Sequence, residues 1–438
     1  MTETLLYIAG VAILILGLAL SIGLHEFGHL IPAKLFGVRV PHWAIGFGPK
    51  LFSKKIGETE YSVRAIPLGG FITLIGMYPP AKPGKDDTKR WFSSSIISAR
   101  NAHQEHEQPG DENRKFYQLS AWKRIVVMFG GPFTNLVIGL VLITTAISGL
   151  GQNQRVNVFA SVVECQSQMI DQSAACSSSD VRTPAALAGF KSGDKLIAID
   201  GNRVNMTEDA ILAVTELPLV SHKLTVDRNG KPVELSITAA QARLPYVDSS
   251  GNMALNADGS PKLKLRPYIG VQWSSQRVPV EAGKAFGTSV AMTGQTLGLI
   301  VQFPSQVFNS ISSLFGSQAR NPNGAVSIVG VGQAAGAIAS NSSASFGDRL
   351  LMNLYLIGSL NLALFAFNMI PLPPLDGGHI AGGVYEYLKR GVFRLLGKKD
   401  PGIADTALMA PVATAMFLLL LVAGLAMIIV DLVNPLKL

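Results

Sequence analysis

Four long apolar stretches constrain the fold of this chain more than any other feature of its sequence. They carry no charged residue and cover residues 5–24, 125–150, 350–375 and 406–430. A helix of about 20 apolar residues crosses the hydrocarbon core of a bilayer, which is roughly 30 Å thick. Charged residues make up only 15% of the chain, whereas soluble domains carry about 25%. The sequence therefore predicts a polytopic α-helical membrane protein with four transmembrane helices.

Two features of these apolar stretches need interpretation. Residues 285–303 form a fifth uncharged stretch, but Thr, Ser, Gln and Gly are frequent in it. This mixed polarity predicts an amphipathic helix on the membrane surface, not a fifth span. The first apolar stretch has no basic residue before it and no small-residue cleavage site. We therefore expect a retained helix and not a cleaved signal peptide.

Basic side chains are concentrated in residues 31–124 and in the loop after the third apolar stretch. The positive-inside rule places both segments in the cytoplasm and both chain termini outside. Residues 151–349 carry nearly balanced charges and are predicted to lie outside. The net charge of +8 is explained by the two cytoplasmic segments, so no nucleic-acid partner is expected.

Residues 184–201 contain a short run of small residues, a Gly-Asp turn, an apolar strand and an Asp-Gly turn. This pattern resembles the core of bacterial PDZ domains, which bind extended chains by adding a strand to a sheet edge. The alternative is a purely structural β-sandwich. Cys165 and Cys176 close a short loop beside this segment. A cysteine pair on the oxidising side of a membrane is expected to form a disulfide.

The motif His25-Glu26-Phe27-Gly28-His29 ends the first apolar stretch. Residues i and i+4 share a helix face, so both imidazoles can bind one metal ion beside Glu26. Zinc bound in this way lowers the pKa of a water molecule, and the glutamate accepts its proton. The alternative is that these side chains extend into the cytoplasmic interface without a metal.

A catalytic zinc needs a third protein ligand, and Asp376 is the candidate. Pro371, Pro373 and Pro374 must end the third apolar helix just before it. With four spans, Asp376 and the histidines lie on the same side of the membrane, whereas a fifth span would separate them by a membrane thickness. The alternative is that Asp376 only caps the following helix. Asn135, in the second span, is expected to form an interhelical hydrogen bond near the site.

Two strand-like runs, residues 58–64 and 67–70, are separated by a turn in the first cytoplasmic segment. An edge formed by residues 61–74 could pair with an extended peptide. A helix hides its carbonyl groups in hydrogen bonds, so a helical segment must unwind before it can pair with such an edge. The alternative is an ordinary cytoplasmic hairpin.

Together, several motifs resemble those of bacterial site-2 proteases, the RseP-type intramembrane zinc metalloproteases. They are HEFGH at 25–29, GFGP at 46–49, AIPLGGF at 65–71, GPFTN at 131–135 and NMIPLPPLDGG at 368–378. The single PDZ-like segment and the cysteine pair most resemble actinobacterial members.

The resemblance implies one zinc ion per chain, bound by His25, His29 and Asp376, with Glu26 as general base. Four further residues are implied to contact the substrate: Asn368, Pro371, Gly69 and Gly70. The implied substrates are single-pass transmembrane proteins, such as anti-sigma factors or leftover signal peptides, cleaved in regulated intramembrane proteolysis. The implied location is the inner (cytoplasmic) membrane, with the PDZ domain outside the cytoplasm.

The predicted organisation follows the chain from the first helix to the last. It comprises a first transmembrane helix with HExxH (1–32), a cytoplasmic loop with a membrane-associated β-hairpin (33–119), a second transmembrane helix (120–150), a PDZ domain (160–243), an extracytoplasmic insertion with an amphipathic helix (244–349), a third transmembrane helix with the LDGG motif (350–380) and a fourth (405–431). Two rival functions remain open: a non-enzymatic PDZ-bearing membrane scaffold or transporter, and an interfacial protease that acts on soluble peptides.

Overall fold

A computed structural model describes residues 2–81, 87–89, 92–102, 106–169, 176–204, 214, 217–246, 256, 262–314 and 324–434. Most of the polar part of the predicted insertion, residues 247–255 and 257–261, lies outside these ranges. The chain forms two compact units. One contains Met1–Leu150 and Glu281–Leu438, and the other contains Gly151–Val280.

The first unit consists mainly of helices. They are α1 (Thr2–Leu35), α2 (Ser93–Asn101), α3 (Ala121–Leu150), α5 (Ala282–Ser312), α6 (Ile328–Ser340), α7 (Phe346–Asn368), α8 (Asp376–Leu395) and α9 (Ala410–Val433), with α4 lying in the second unit. In the described part of the chain, four helices are long and apolar enough to cross a membrane: Glu3–Leu35, Ala121–Gly149, Phe346–Asn368 and Thr406–Val433. The prediction of four candidate spans is confirmed.

The fifth uncharged stretch is part of α5, which is longer than residues 285–303 and is not among the four candidate spans. Ser289 of α5 is fully buried, and its hydroxyl lies 3.1 Å from the hydroxyl of Thr144 in α3. The Tyr355 hydroxyl in α7 donates a hydrogen bond to the sulfur of Met292 in α5, over 2.8 Å. Helix α5 thus contacts two candidate spans, α3 and α7. Its position on the membrane surface is not tested by these contacts and stays a prediction.

The third apolar stretch does not continue as a helix to residue 375. Helix α7 ends at Asn368 and α8 begins at Asp376. The intervening segment contains the three prolines, each of which lacks a backbone N–H donor. The predicted break is confirmed, since the helical part of the predicted 350–380 segment ends at Asn368 and the LDGG motif follows it.

Two long strands follow α1: β1 (His42–Ile56) and β2 (Thr59–Thr73). Residues 42–45 pair with 60–63 on one side and with 70–73 on the other, while 50–56 pair with 59–64. Within the described residues, 70–73 have no strand on their outer side. A β-hairpin is present, but its turn lies at residues 57–58. The two runs predicted to form it both belong to β2, because the sequence prediction overlooked β1.

The hairpin is fixed to α1 by aromatic packing. The Phe27 ring lies 4.6 Å from the Trp43 ring, measured between centroids. Val38, Val40, Trp43 and Leu30 are nearly fully buried in the same cluster. Phe27 lies between the two histidines of the sequence motif, so this packing fixes the rotation of α1 at the point where those histidines project.

The second unit contains α4 (Pro184–Ala188) and the strands β3 (Gln152–Val162), β4 (Lys195–Ile199), β5 (Asn202–Arg203), β6 (Ser221–Arg228), β7 (Lys231–Thr238), β8 (Ala240–Pro245), β9 (Leu263–Tyr268) and β10 (Val271–Val278). The main sheet has the order β10-β3-β4-β6-β7, with β5 paired to β4, while β8 and β9 form a separate pair. The unit therefore extends beyond residues 160–243, because β3 begins earlier and β10 adds an edge strand.

The local pattern predicted for residues 184–201 is present. The Thr183 side chain caps α4, and Gly189 ends it with φ of 79°. The Asp194 carboxylate is buried, and it accepts hydrogen bonds from Arg228 and from the Lys191 backbone. The Cys165 and Cys176 sulfurs lie 2.01 Å apart, at disulfide distance.

Candidate metal centre

Helix α1 carries His25, Glu26 and His29 in its C-terminal third, and the four-residue spacing of the histidines makes slightly more than one turn. The Nε2 atoms of the two histidines lie 3.2 Å apart. Glu26 and His29 are buried, with 9% and 6% of their surfaces exposed. Three ionisable groups inside an apolar helix are costly unless they have partners, so their convergence indicates a functional site.

Asp376 is the first residue of α8, and its carboxylate completes the cluster. Its Oδ2 lies 3.4 Å from Nε2 of His25 and 3.4 Å from Nε2 of His29. The N-cap of α8 is Leu375, without a side-chain cap, so the alternative in which Asp376 only caps a helix is not supported. The following Gly377 and Gly378 leave no room for a Cβ, because the 369–375 segment folds directly against them.

The three side chains fit a metal ion. One ligand atom from each of His25, His29 and Asp376 lies within 4.8 Å of the others. Two imidazole nitrogens and one carboxylate oxygen are the donor types that catalytic zinc uses, with a fourth position left for water or substrate. The two cysteine sulfurs are bonded to each other, so neither thiol is available as a competing ligand.

Each histidine has a second contact that leaves Nε2 available for the metal. The Nδ1–H of His29 donates a hydrogen bond to the Val127 carbonyl over 2.8 Å. Nδ1 of His25 lies 3.1 Å from the amide nitrogen of Asn135. The Oδ1 of Asn135 is buried and has no hydrogen-bond partner among the described residues. Rotating this amide by 180° presents Oδ1 to the Nδ1–H of His25, the contact that a metal-binding imidazole needs.

Glycines bring α1 and α3 together at the same level. A Cβ at Gly28 would overlap the backbone of Gly130, and a Cβ at Gly130 would overlap the backbone of Gly28. A Cβ at Gly131 would overlap the imidazole ring of His29. Small residues allow helix backbones to approach closely in membranes. The sequence analysis missed this contact, although the pairing of Gly28 with Gly130-Gly131 was a possible signal for it.

The cluster opens into a cavity of about 470 Å³. Its lining includes the three candidate ligands, Glu26, Asn368, Tyr78 and the edge residues 69–72. A Cβ at Gly70 would lie 2.9 Å from Cγ of Glu26 and 2.9 Å from the Ala44 carbonyl oxygen. Glycine at this position therefore lets the free edge of β2 pass directly beside the Glu26 side chain.

The structure brings most of the predicted site residues together. His25, Glu26, His29, Asp376, Asn368, Gly69 and Gly70 all line this cavity. Pro371 instead lines a neighbouring cavity, which shares Tyr78 and His379 with the first. Burial raises the pKa of the Tyr78 phenol above its ordinary value. The predicted interhelical hydrogen bond of Asn135 is confirmed.

Comparison with known proteins agrees with this geometry. Residues 13–399 match the model of peptidase family M50. The chain is 30% identical to zinc metalloprotease Rip1 of Mycobacterium tuberculosis, over 99% of this chain and 100% of that protein. It is 28% identical to Rip1 of Mycolicibacterium smegmatis, over 98% of each chain. It is 26% identical to metalloprotease MmpA of Caulobacter vibrioides, over 86% of each chain.

The family match covers both helices that carry the candidate ligands as well as the β1–β2 hairpin. The family and the named relatives identify zinc as the cofactor and proteolysis as the activity. The four candidate spans make it a multi-pass membrane protein. The chain therefore belongs to peptidase family M50, the site-2 proteases, and is a zinc metalloprotease.

Proposed function

We propose that the protein cleaves peptide bonds within single-pass transmembrane segments, using zinc bound by His25, His29 and Asp376. The observation that carries this proposal is the position of the three side chains. They converge between candidate spans, in a cavity that is also lined by the 69–72 edge of β2. A protease for soluble chains would not need its reactive groups at the end of an apolar helix.

The side chains around the cavity have distinct roles. Bound zinc supplies Lewis acidity, which activates water and polarises the scissile carbonyl group. Glu26 accepts the proton of the attacking water and returns it to the departing amine nitrogen, as a general base and then a general acid. Asn368 presents a side-chain amide to the cavity, where it can hydrogen-bond to the substrate backbone.

The free edge at residues 70–73 holds the unwound substrate. An extended segment in a dry site needs partners for its N–H and C=O groups. Residues 70–73 pair with 42–45 on one side. Within the described chain no strand pairs with their other side, so its N–H and C=O groups can bind the substrate. Strand addition there places the scissile bond next to Glu26, because Gly70 lies against Glu26.

The remaining parts of the proposal rest on the sequence. The second unit is a PDZ domain outside the cytoplasm, supported by the α4–β4–β5 pattern and its turns. The basic loops orient the catalytic end of α1 toward the cytoplasm. The protein acts in the inner (cytoplasmic) membrane, in regulated intramembrane proteolysis. Its substrates are anti-sigma factors or leftover signal peptides, which share a single apolar span.

Cleavage by the purified full-length protein in liposomes tests this function. Two test peptides carry the same cleavage sequence, one within a 20-residue apolar span and one in a short soluble chain. Because binding of remote substrate parts contributes to catalysis, we expect kcat/KM to be at least about tenfold higher for the spanning peptide. Equal turnover of both peptides would instead support a protease acting on soluble chains.

The Asn135 contact yields a prediction about metal affinity. Asn135→Leu removes the partner of His25 Nδ1, and loss of such a contact weakens metal binding by about 10–100-fold. Asn135→Asp keeps an acceptor at this position, so we expect it to bind zinc nearly as well as the unaltered protein. Competition with a chelator measures both affinities. Equal weakening by the two substitutions would show that the amide does not act as the acceptor.

A further inference from the structure

A third cavity, of about 630 Å³, lies along the part of α1 that precedes the metal site. We call it the α1–α6 groove. It is lined by Tyr7, Val11, Leu14, Ile15, Leu18, Ala65, Ile66, Pro67, Ile328, Val329, Gly332 and Gln333. Its walls come from α1, from α6 and from the middle of β2. The lining side chains are apolar except those of Tyr7 and Gln333.

The packing of α6 explains why the groove exists. Gly336 of α6 lies against the ring of Tyr7, and Gly10 of α1 lies against the backbone of Ala335. The Asp431 carboxylate of α9 accepts a hydrogen bond from the Ser327 backbone over 2.6 Å at the start of α6. With 13 residues, α6 is about 20 Å long and covers only one side of α1. The other side, beneath residues 65–67, stays open.

The groove and the metal cavity share two elements. Helix α1 lines the groove from Tyr7 to Leu18 and the metal cavity from Ile22 to His29. Strand β2 lines the groove at residues 65–67 and the metal cavity at 69–72. The two cavities therefore lie one after the other along α1 and β2.

The interval between the two cavities has a similar length along α1 and along β2. From Leu18 to Glu26 the helix rises about 12 Å, and from Pro67 to Gly70 the strand advances about 10 Å. Three or four extended residues cover this interval. The groove itself, from Tyr7 to Leu18, is about 17 Å long, which matches three turns of a helix.

We propose that the α1–α6 groove binds the part of the substrate transmembrane segment that remains helical, while the adjoining unwound part pairs with residues 70–73. This inference rests on the proposed function. It adds a site for the helical part of the substrate to the site already proposed for the unwound part at residues 70–73. Val11 and Leu18 contact apolar substrate side chains. The Gln333 amide and the Tyr7 hydroxyl lie where they can hydrogen-bond to substrate backbone groups, which loosen where the helix ends. An apolar groove that held only acyl chains would have no use for either polar group.

Gly332 provides a direct test, because a Cβ there meets no atom within 4 Å. Gly332→Leu therefore fills the groove without disturbing the fold. Gly424 of α9 has equally open surroundings, and Gly424→Leu is the matched control. Losing the burial of one apolar substrate side chain corresponds to roughly tenfold in affinity. We expect Gly332→Leu to lower kcat/KM for the spanning test peptide by at least that factor, with zinc content unchanged, and Gly424→Leu to have no effect.

Crosslinking tests occupancy without requiring cleavage. The two natural cysteines are bonded to each other, so Val329→Cys introduces a single free thiol into the groove. In a Glu26→Gln background, the spanning test peptide carries one cysteine at successive positions. Disulfide formation is expected at positions three to four residues apart, the period of a helix. Gly424→Cys serves as the control and should not show this pattern.

The outcomes separate the two proposals. Crosslinks in the groove without cleavage by the unaltered protein would refute the proposed function and leave the groove assignment standing. Normal cleavage by Gly332→Leu, together with absent crosslinks, would refute the groove assignment alone. Phospholipid that co-purifies with the unaltered protein and is lost in Gly332→Leu, with no peptide crosslinked to the Val329→Cys thiol, would show that the groove holds an acyl chain, and the inference would be wrong.

Discussion

The Glu26→Gln variant is expected to keep one zinc ion per chain and to lose cleavage of the spanning test peptide. Glutamine has nearly the shape of glutamate, but it cannot accept a proton from water. Removing a general base lowers turnover by about 10²–10⁴-fold. Glu26 belongs to the metal cavity but not to the cluster of three ligand atoms. Its loss should therefore leave the affinity for zinc unchanged.

Single-turnover cleavage in liposomes and metal analysis of the same preparation measure both quantities. The control is Glu112→Gln, because Glu112 is exposed in the loop before α3. Cleavage by Glu26→Gln at the unaltered rate would refute the base assignment. A parallel loss of zinc would show instead that Glu26 is a ligand.

Asp376→Asn is expected to reduce zinc affinity by at least about 100-fold, a larger loss than replacing an outer contact causes. The substitution keeps the size of the side chain and removes the negative charge that faces both imidazoles. Retention of tight zinc binding would therefore mean that the carboxylate is not a ligand.

Chelator competition on the purified full-length protein provides the measurement. Asp400→Asn is the matched control, since Asp400 is an exposed aspartate in the loop after α8. The control should bind zinc like the unaltered protein. Equal weakening in both variants would point to a general electrostatic effect and not to coordination.

Much of the metal site could be predicted from the sequence because its signals are local. The HEFGH motif gives the helical spacing, and the prolines before Asp376 mark the end of a helix. The four candidate spans then require both segments to lie on one side of the membrane. Only the distances between the three side chains needed the structure.

Other features could not be predicted, for different physical reasons. Strand β1 contains two glycines, a proline and three lysines, which weaken a strand pattern, and its central role follows from pairing on both sides of residues 42–45. The Val127 carbonyl that orients His29 is a backbone group, which leaves no signal in a sequence. Strand β10 pairs with β3 across more than a hundred residues, and such long-range pairing is not encoded in local periodicity.

The backbone contact between Gly28 and Gly130 has a consequence for how the enzyme matures. His29 lies one residue beyond that contact, and Val127 and Asn135 lie on the same helix as Gly130. Insertion of α1 alone leaves both imidazoles without their outer partners, and docking of α3 supplies those partners in one step. Metal uptake and helix association are therefore thermodynamically linked, so each one favours the other. A nascent chain in the bilayer should therefore bind zinc more tightly once the second helix has docked.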